Sequence, residues 1–136
     1  MNEVNGFPAS DGRPLVLVVD DDPDILDAVC DILEGEHYRV TRARHGQEAL
    51  ERVAEERPAI VLLDLMMPVM DGVAFARALR AQYTEDEIPI VVISADGNPQ
   101  RAAAVGARGF LAKPFDIDAL LDEVASVTAF LPGIPP

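Results

Sequence analysis

Acidic side chains follow two of the short apolar runs in this sequence. One run ends directly before Asp20, Asp21 and Asp22, and another ends directly before Asp64. Carboxylates held close together in a partly buried site repel one another by on the order of a few kcal/mol per pair. A bound cation turns that repulsion into binding energy, and oxygen ligands without nearby His or Cys favour Mg²⁺, which often shares its shell with phosphate oxygens. These residues therefore indicate a magnesium site used in phosphoryl chemistry.

Two further polar residues, Ser94 and Lys113, also end short apolar runs. Lys113 is the one lysine in a chain that has arginine at its ten other basic positions, and its compact ammonium could pair with a carboxylate or a phosphoryl oxygen. Pro114 follows it, and an X-Pro bond can be cis and aim the preceding side chain. The Ser94 hydroxyl could donate a hydrogen bond to a phosphoryl oxygen. The simpler alternatives are an ordinary exposed lysine and a small serine that closes a strand.

A structural explanation is available for two of the acidic residues. Asp22 precedes Pro23 and Asp71 precedes Gly72, and both positions are typical of residues that cap the start of a helix. Capping does not account for the remaining three carboxylates, which stay the candidates for chemistry.

The elements that would position these residues alternate strand with helix. Apolar and β-branched runs predict five strands, at Leu15–Val19, Tyr38–Ala43, Ala59–Leu63, Ile90–Ser94 and Gly109–Ala112. Helical periodicity predicts five helices, at about Pro23–Leu33, Gly46–Glu56, onward from after Asp71-Gly72, Pro99–Val105 and onward from an Asp116 cap. The pattern favours an α/β fold, a doubly wound, flavodoxin-like parallel sheet of order 2-1-3-4-5 with helices on both faces. In that order all the polar strand ends lie on one edge, where α/β sheets bind ligands.

Helical spacing also predicts which faces of two helices are buried. The first helix would end before Gly35, with a buried stripe made by Ile25, Val29, Ile32 and Leu33. The fifth helix would bury Ile117, Leu120, Leu121, Val124 and Val127.

Composition limits the function classes. The 136 residues suit one domain, expected over residues 14–131 between tails at 1–13 and 132–136. The net charge of −13, with no Lys/Arg-rich stretch, argues against direct DNA binding and against an anionic membrane surface. A single cysteine, Cys30, cannot form an internal disulfide, and the start of the chain lacks a secretion signal. A cytoplasmic protein without membrane insertion is expected; its oligomeric state stays open.

Four segments of the sequence resemble the signature of response-regulator receiver domains of two-component signalling. They are VVDDDP at 18–23, LLDLMMPVMDG at 62–72, ISA at 93–95 and GFLAKPF at 109–115. The resemblance covers about residues 14–131. It implies that Asp64 is the phosphoacceptor, that Asp21 and Asp64 ligate Mg²⁺ directly, and that Asp20 acts largely through water. The backbone carbonyl of Met66 would supply another ligand.

The resemblance also implies partners and a switch. The phosphoryl group would come from the phosphohistidine of a histidine kinase or histidine phosphotransfer protein, and output would pass to a downstream protein or along a phosphorelay. Ser94 would move towards the phosphoryl group and Phe110 would turn inward, although Phe110 equally fits a plain core residue and lacks the hydroxyl of the tyrosine often found there. Ser94 and Lys113 are nineteen positions apart, closer than is typical, so the fourth helix is expected to be shortened.

Two other functions fit parts of the pattern. A strand followed by Asp20 and Asp22 also resembles the nucleophile motif of haloacid-dehalogenase-like phosphatases, but those enzymes usually need a longer core, and Asp64 would be unexplained. A receiver-like interaction domain that is never phosphorylated is the second alternative. The histidines, His37 and His45, lie away from the acidic edge, and no glycine-rich phosphate loop precedes a helix.

Overall fold

The computed structural model describes residues 12–65, 72–95 and 99–128. Its strands are β1 (Leu15–Val19), β2 (Arg39–Ala43), β3 (Ile60–Asp64), β4 (Ile90–Ser94) and β5 (Gly109–Ala112). Its helices are α1 (Pro23–Gly35), α2 (Gly46–Glu55), α3 (Gly72–Arg80), α4 (Pro99–Ala104) and α5 (Ile117–Thr128). The strands form one parallel sheet of order β2-β1-β3-β4-β5, which confirms the predicted fold class. The predicted tails lie almost wholly outside the described residues.

The core consists of two layers, one on each face of the sheet. All residues of β1, β3 and β4 are buried, as expected for central strands of a parallel sheet. Because successive side chains of a strand point to opposite faces, Leu17 packs with Phe75 beneath α2, α3 and α4. Its neighbours Val16 and Val18 pack beneath α1 and α5. The two layers bury both faces of the central strands.

The first helix is longer than the sequence predicted. Gly35 lies inside α1 rather than beyond it, and the left-handed residue that ends the helix is His37, with φ of 70°. The backbone N–H of His37 donates to the Glu34 carbonyl and that of Tyr38 to the Leu33 carbonyl, both at 3.1 Å. This is the Schellman arrangement, which glycine usually supplies. The predicted end of α1 before Gly35 was wrong because His37, and not a glycine, adopts the left-handed conformation that ends the helix.

The buried face of α1 is also rotated relative to the prediction. Leu26 and Cys30 are buried in place of Ile25 and Ile32, which lie half-buried at the margin of the sheet. Burial raises the pKa of the Cys30 thiol to about 11, so it stays protonated and packs as a small apolar group. Of the stripe predicted for α5, Leu120, Val124 and Val127 are buried, Leu121 is half-buried and Ile117 is 55% exposed.

Short capping contacts set where the other helices begin and end. Asp22 caps α1, its side chain accepting from the backbone N–H of Asp24 at 2.9 Å, and Asp116 accepts from Ala119 at 2.7 Å at the start of α5. Helix α4 ends after six residues, and Gly106, which follows it, adopts a left-handed conformation with φ of 71°. The fourth helix is therefore short, as predicted. None of the helices in the described part of the chain is long and apolar enough to cross a bilayer.

Helix α2 starts with an imidazole cap, which gives a test of the fold. The Nδ1 atom of His45 accepts from the backbone N–H of Glu48 at 3.2 Å, and the Glu48 carboxylate accepts from the backbone N–H of Arg44 at 2.7 Å. His45→Ala is expected to lower the free energy of unfolding by about 1 kcal/mol because it removes this cap, whereas His45→Asn keeps an acceptor there. Urea denaturation measures both. Gln47→Ala on the same helix is the control; equal midpoints for His45→Ala and the wild type would contradict the cap.

Candidate functional site

Three carboxylates meet at the carboxyl edge of the sheet. Asp20 follows β1 and Asp64 is the last residue of β3, and these strands are neighbours. Ligand oxygens of Asp20, Asp21 and Asp64 all lie within 4.8 Å of one another. Asp20 and Asp64 are 3% and 5% exposed, whereas Asp21 is open to solvent. The structure thus brings together the three acidic residues that the sequence singled out, with one side of the cluster accessible.

Lys113 directly follows the edge strand β5 and lies against this cluster. Its Nζ atom is 2.8 Å from Oδ2 of Asp20 and 3.6 Å from Oδ2 of Asp64. The peptide bond from Lys113 to Pro114 is cis, and the Lys113 backbone N–H donates to the Ser94 carbonyl at 2.9 Å. The lysine that was singled out by its rarity is therefore a partly buried ion-pair partner of two carboxylates rather than an ordinary surface lysine.

The ammonium of Lys113 stays charged in this setting. Burial alone would lower the pKa of Lys113, but the hydrogen bond and charge of Asp20, joined by the charge of Asp64, outweigh burial and raise that pKa above its usual value. The stabilisation that the raised pKa of Lys113 reflects is therefore present at neutral pH and is lost as the pH rises through that raised pKa.

The donor set fits a hard divalent cation. The three carboxylates outnumber the single ammonium by two formal charges, so the cluster keeps a negative potential that a cation would offset. The three carboxylates offer oxygen donors, the ligands that Mg²⁺ prefers. Met66, whose carbonyl was expected to be a further ligand, lies outside the described residues.

Asp20 is held in place by hydrogen bonds to both oxygens of its carboxylate and to its backbone. Its Oδ1 atom accepts from the Asp22 backbone N–H at 2.9 Å, while Oδ2 accepts from Lys113. Its own backbone N–H donates to the Ala43 carbonyl at 3.1 Å on β2. With both carboxylate oxygens engaged, Asp20 is better suited to hold Lys113 than to reach a substrate. Asp22 caps α1 and is no part of the cluster, in agreement with the structural explanation from the sequence.

Gly72, the first residue of α3, lies directly against the end of β3. Its N–H donates to the Leu65 carbonyl at 3.0 Å. A Cβ atom at this position would lie 2.5 Å from Cα of Leu65 and 2.7 Å from the carbonyl oxygen of Asp64. Only glycine fits so close to backbone. This close approach could not be predicted from the sequence, because an Asp-Gly pair before a helical pattern indicates a turn and a helix start but not a contact with a distant strand.

The two expected switch residues lie on β4 and β5. Ser94 ends β4 beside β3, on the same edge as the carboxylates, and is only 1% exposed. Phe110 on β5 is partly buried and packs against the core layer that also holds Val105 and Ala107. Phe110 thus contributes to the core in this conformation, next to α4. Asp71, the other candidate helix cap, lies outside the described residues.

Comparisons with known proteins agree on one family. Residues 16–125 match the family model described as "Response regulator receiver domain". The response regulator MprA of Mycolicibacterium vanbaalenii is 41% identical over 109 residues, which cover 78% of this chain and 46% of MprA. The transcriptional regulatory protein PrrA of Mycobacterium tuberculosis is 40% identical over 121 residues, covering 87% and 50%. The chain spans about half the length of the curated relatives it matches.

Solved structures of similar proteins share the fold over nearly their whole length. The chemotaxis protein CheY4 of Vibrio cholerae has a TM-score of 0.79 and 35% identity, covering 85% of this chain and 98% of CheY4. The receiver domain of NtrX from Brucella abortus has a TM-score of 0.78 and 32% identity, covering 85% and 98%.

The close approach at Gly72 gives a test of the site's construction. Gly72→Ala is expected to lower the free energy of unfolding by about 1–3 kcal/mol, because the added methyl must displace the backbone at Asp64 and Leu65. Gly35→Ala is the matched control, since nothing lies within 4 Å of a Cβ there and alanine favours the helix by up to about 1 kcal/mol. Urea denaturation compares them. If the two variants were equally stable, the contact would not be tight.

Proposed function

This chain belongs to the family of response regulator receiver domains, and from that membership we propose that it is a signalling switch phosphorylated on Asp64. The observation that carries the proposal is the position of that carboxylate. Asp64 lies at the end of a central strand, nearly buried, 3.6 Å from the Lys113 ammonium and within 4.8 Å of ligand oxygens of Asp20 and Asp21. A carboxylate so placed has both a positive charge and a cation site beside it.

The transfer is a displacement at phosphorus. The bond from phosphorus to the donor's histidine nitrogen breaks as a bond to an Asp64 oxygen forms, and the products are the acyl phosphate and a free histidine. Negative charge spreads over the phosphoryl oxygens during this step, so fixed positive charge nearby lowers the barrier. Lys113 provides that charge, and its flexible stem allows it to follow the phosphoryl oxygens.

Asp21 and Asp64 are the proposed direct ligands of Mg²⁺, with Asp20 acting largely through water and the Met66 carbonyl as a further ligand. When bound, Mg²⁺ supplies positive charge that offsets the phosphoryl oxygens. The engaged oxygens of Asp20 and the exposure of Asp21 support this division of roles.

The proposed readout uses Ser94 and Phe110. The Ser94 hydroxyl donates to a phosphoryl oxygen on Asp64, and the small movement at the end of β4 changes the packing of Phe110 beside α4. The position of Ser94 on the same sheet edge and the partial burial of Phe110 support this route. Without a hydroxyl, Phe110 relies on packing alone to hold an inward position.

The proposed partners are proteins. The donor is a histidine kinase or a histidine phosphotransfer protein, and the output is a downstream protein target or onward phosphorelay, in the cytoplasm. The net charge of −13 argues against direct contact between this chain and DNA. The chain acts as a signalling domain that promotes its own phosphorylation and dephosphorylation.

Phosphatase chemistry on Asp20 has less support. A nucleophile needs a free oxygen facing its substrate, whereas both oxygens of Asp20 accept hydrogen bonds from Asp22 and Lys113. The open member of the cluster is Asp21.

Intact-mass measurement after incubation with acetyl phosphate and Mg²⁺ tests the phosphoacceptor. We expect the wild type to gain one phosphoryl group and Asp64→Asn to gain none, because the nucleophilic oxygen is lost. Asp22→Asn is the control: it alters a cap outside the cluster and keeps the gain.

Three results would each contradict this proposal. Equal gains in the wild type and Asp64→Asn would place the phosphoryl group elsewhere. Loss in Asp20→Asn with Asp64→Asn unaffected would favour the phosphatase. A folded wild type that gains nothing would make the chain an interaction domain without phosphorylation.

Isothermal titration with Mg²⁺ tests the metal site. The wild type is expected to bind one ion, and Asp21→Asn to lower the affinity by about tenfold or more, since even outer-shell changes cost metal sites about that much. Asp31→Asn, on the exposed face of α1, is the control and should bind as the wild type does. Equal affinities for the two variants would exclude Asp21 as a ligand.

A further inference from the structure

A cavity lies between α3 and α4, apart from the acidic edge. Its volume is about 460 Å³, within the range of pockets that hold small ligands. Val73 and Ala76 from α3 face Ala104 and Val105 from the end of α4 across it. Its walls are therefore apolar side chains from two helices that both connect to strands ending at the carboxylate cluster.

The charged residues of this cavity are mostly arginines. Arg77 and Arg80 from α3 and Arg101 from α4 line it, and Glu85 is the one carboxylate among the described residues that do so. Three of the chain's ten arginines thus share one cavity in a protein of net charge −13. A positive concave site with apolar walls concentrates its field towards an incoming anion.

Arg80 has an unmet demand for an anion. Its Nη1 atom donates to the Ile88 carbonyl at 2.9 Å and, at longer range, to those of Thr84 and Tyr83. Its Nε and Nη2 atoms are buried and have no hydrogen-bond partner in the described part of the chain. Burying a guanidinium with unpaired N–H groups is costly, and an anion close by would offset part of that cost.

Glu85 does not meet this demand in the structure. Its carboxylate lies against Gly106, where a Cβ would come within 2.6 Å of Oε2, and it forms no ion pair with Arg80 among the described residues. Burial lowers the pKa of Arg80, the charge of Glu85 opposes that change, and the charge of Arg108 adds to it. Arg108 itself is paired with Asp86 at 2.9 Å, and the described lining of the cavity carries three guanidinium groups and one carboxylate.

We propose that the cavity between α3 and α4 binds a small organic anion that carries a phosphate group on an apolar body. Arg77 and Arg101 hold the phosphate, since guanidinium groups match phosphate oxygens in geometry and charge, and the charge of Arg80 stabilises it from behind. The apolar body packs against the small and branched side chains of the two helices. The ligand is a small molecule rather than a peptide because the cavity has the volume of a single compact ligand.

Binding at this cavity would couple to the acidic edge, a consequence that rests on the proposed function. Helix α3 begins at Gly72 against the Asp64 carbonyl, and α4 follows the strand that Ser94 ends. A ligand that bridges both helices favours one arrangement of them, and phosphorylation must then alter ligand affinity as much as the ligand alters phosphorylation equilibrium.

Titration with phenyl phosphate, followed by ¹H–¹⁵N NMR of backbone amides and arginine Nε–H groups, tests the site without Mg²⁺. Saturable shifts are expected at the Arg80 Nε–H and at amides of residues 101–106. Inorganic phosphate should shift the same signals at higher concentration, and benzyl alcohol, which lacks the anion, should not. Arg77→Gln is expected to weaken binding roughly tenfold, the worth of a charge-assisted hydrogen bond, whereas Glu85→Gln should tighten it a few-fold by removing the opposing charge.

Arg52→Gln on α2 is the matched control because it removes an arginine that lies outside the cavity. Equal weakening by Arg52→Gln and Arg77→Gln would reveal unspecific attraction to surface arginines and overturn the proposal, as would the absence of saturable shifts at the cavity. Arg80 is left unaltered because it also binds three carbonyls. The titration is repeated on Asp64→Asn, in which binding should persist, so failure of the phosphoacceptor assignment and failure of this site give different results.

Discussion

The arrangement depends above all on one electrostatic balance, that between Lys113 and the two buried carboxylates of Asp20 and Asp64. Each carboxylate would be costly to bury alone, and the shared ammonium makes their burial tolerable. Asp20 and Asp64 follow neighbouring strands, whereas Lys113 comes from the edge strand β5, two places from β3. The hydrogen bond from its backbone to Ser94 carries Lys113 over β4, and the long lysine stem covers the remaining distance. The ion pair thus depends on the sheet order, which places the end of β5 two strands from Asp64. It also depends on the long lysine side chain, which spans that distance.

The packing around this balance keeps it in place. Asp20 is fixed by three hydrogen bonds, to the helix start after it, to β2 and to Lys113. Asp64 is fixed by its place in β3 and by the approach of Gly72. The member without such restraints is Asp21, which faces solvent. A rigid pair and one open carboxylate suit a site that must bind and release a cation while keeping its geometry.

Much of this could be predicted from the sequence because the signals are local. The runs ending at Val19, Leu63 and Ser94 read as buried parallel strands, and in a parallel sheet their ends must share an edge. What the sequence did not reveal depends on where each element rests. The buried face of α1 is centred on Leu26 and Cys30 because the position of the helix on the sheet, and not its own periodicity, decides which side chains are covered. At the end of α1, His37 takes the left-handed conformation that glycine usually adopts. The close approach of Gly72 and the arginines around the α3–α4 cavity are meetings of distant segments, and no local pattern announces them.

The brevity of α4 has a thermodynamic consequence. A helix of six residues has fewer than two turns, well below the length at which helices persist in water. Contacts with the rest of the domain therefore stabilise it. Ala102 is buried in the core, and the backbone N–H of Gly106 donates to the Ala103 carbonyl in the last turn. An element with so little stability of its own unfolds and refolds at small free-energy cost compared with α1 or α5. Among the described helices α4 is the shortest, so its stability depends most on the contacts that it makes with the rest of the domain.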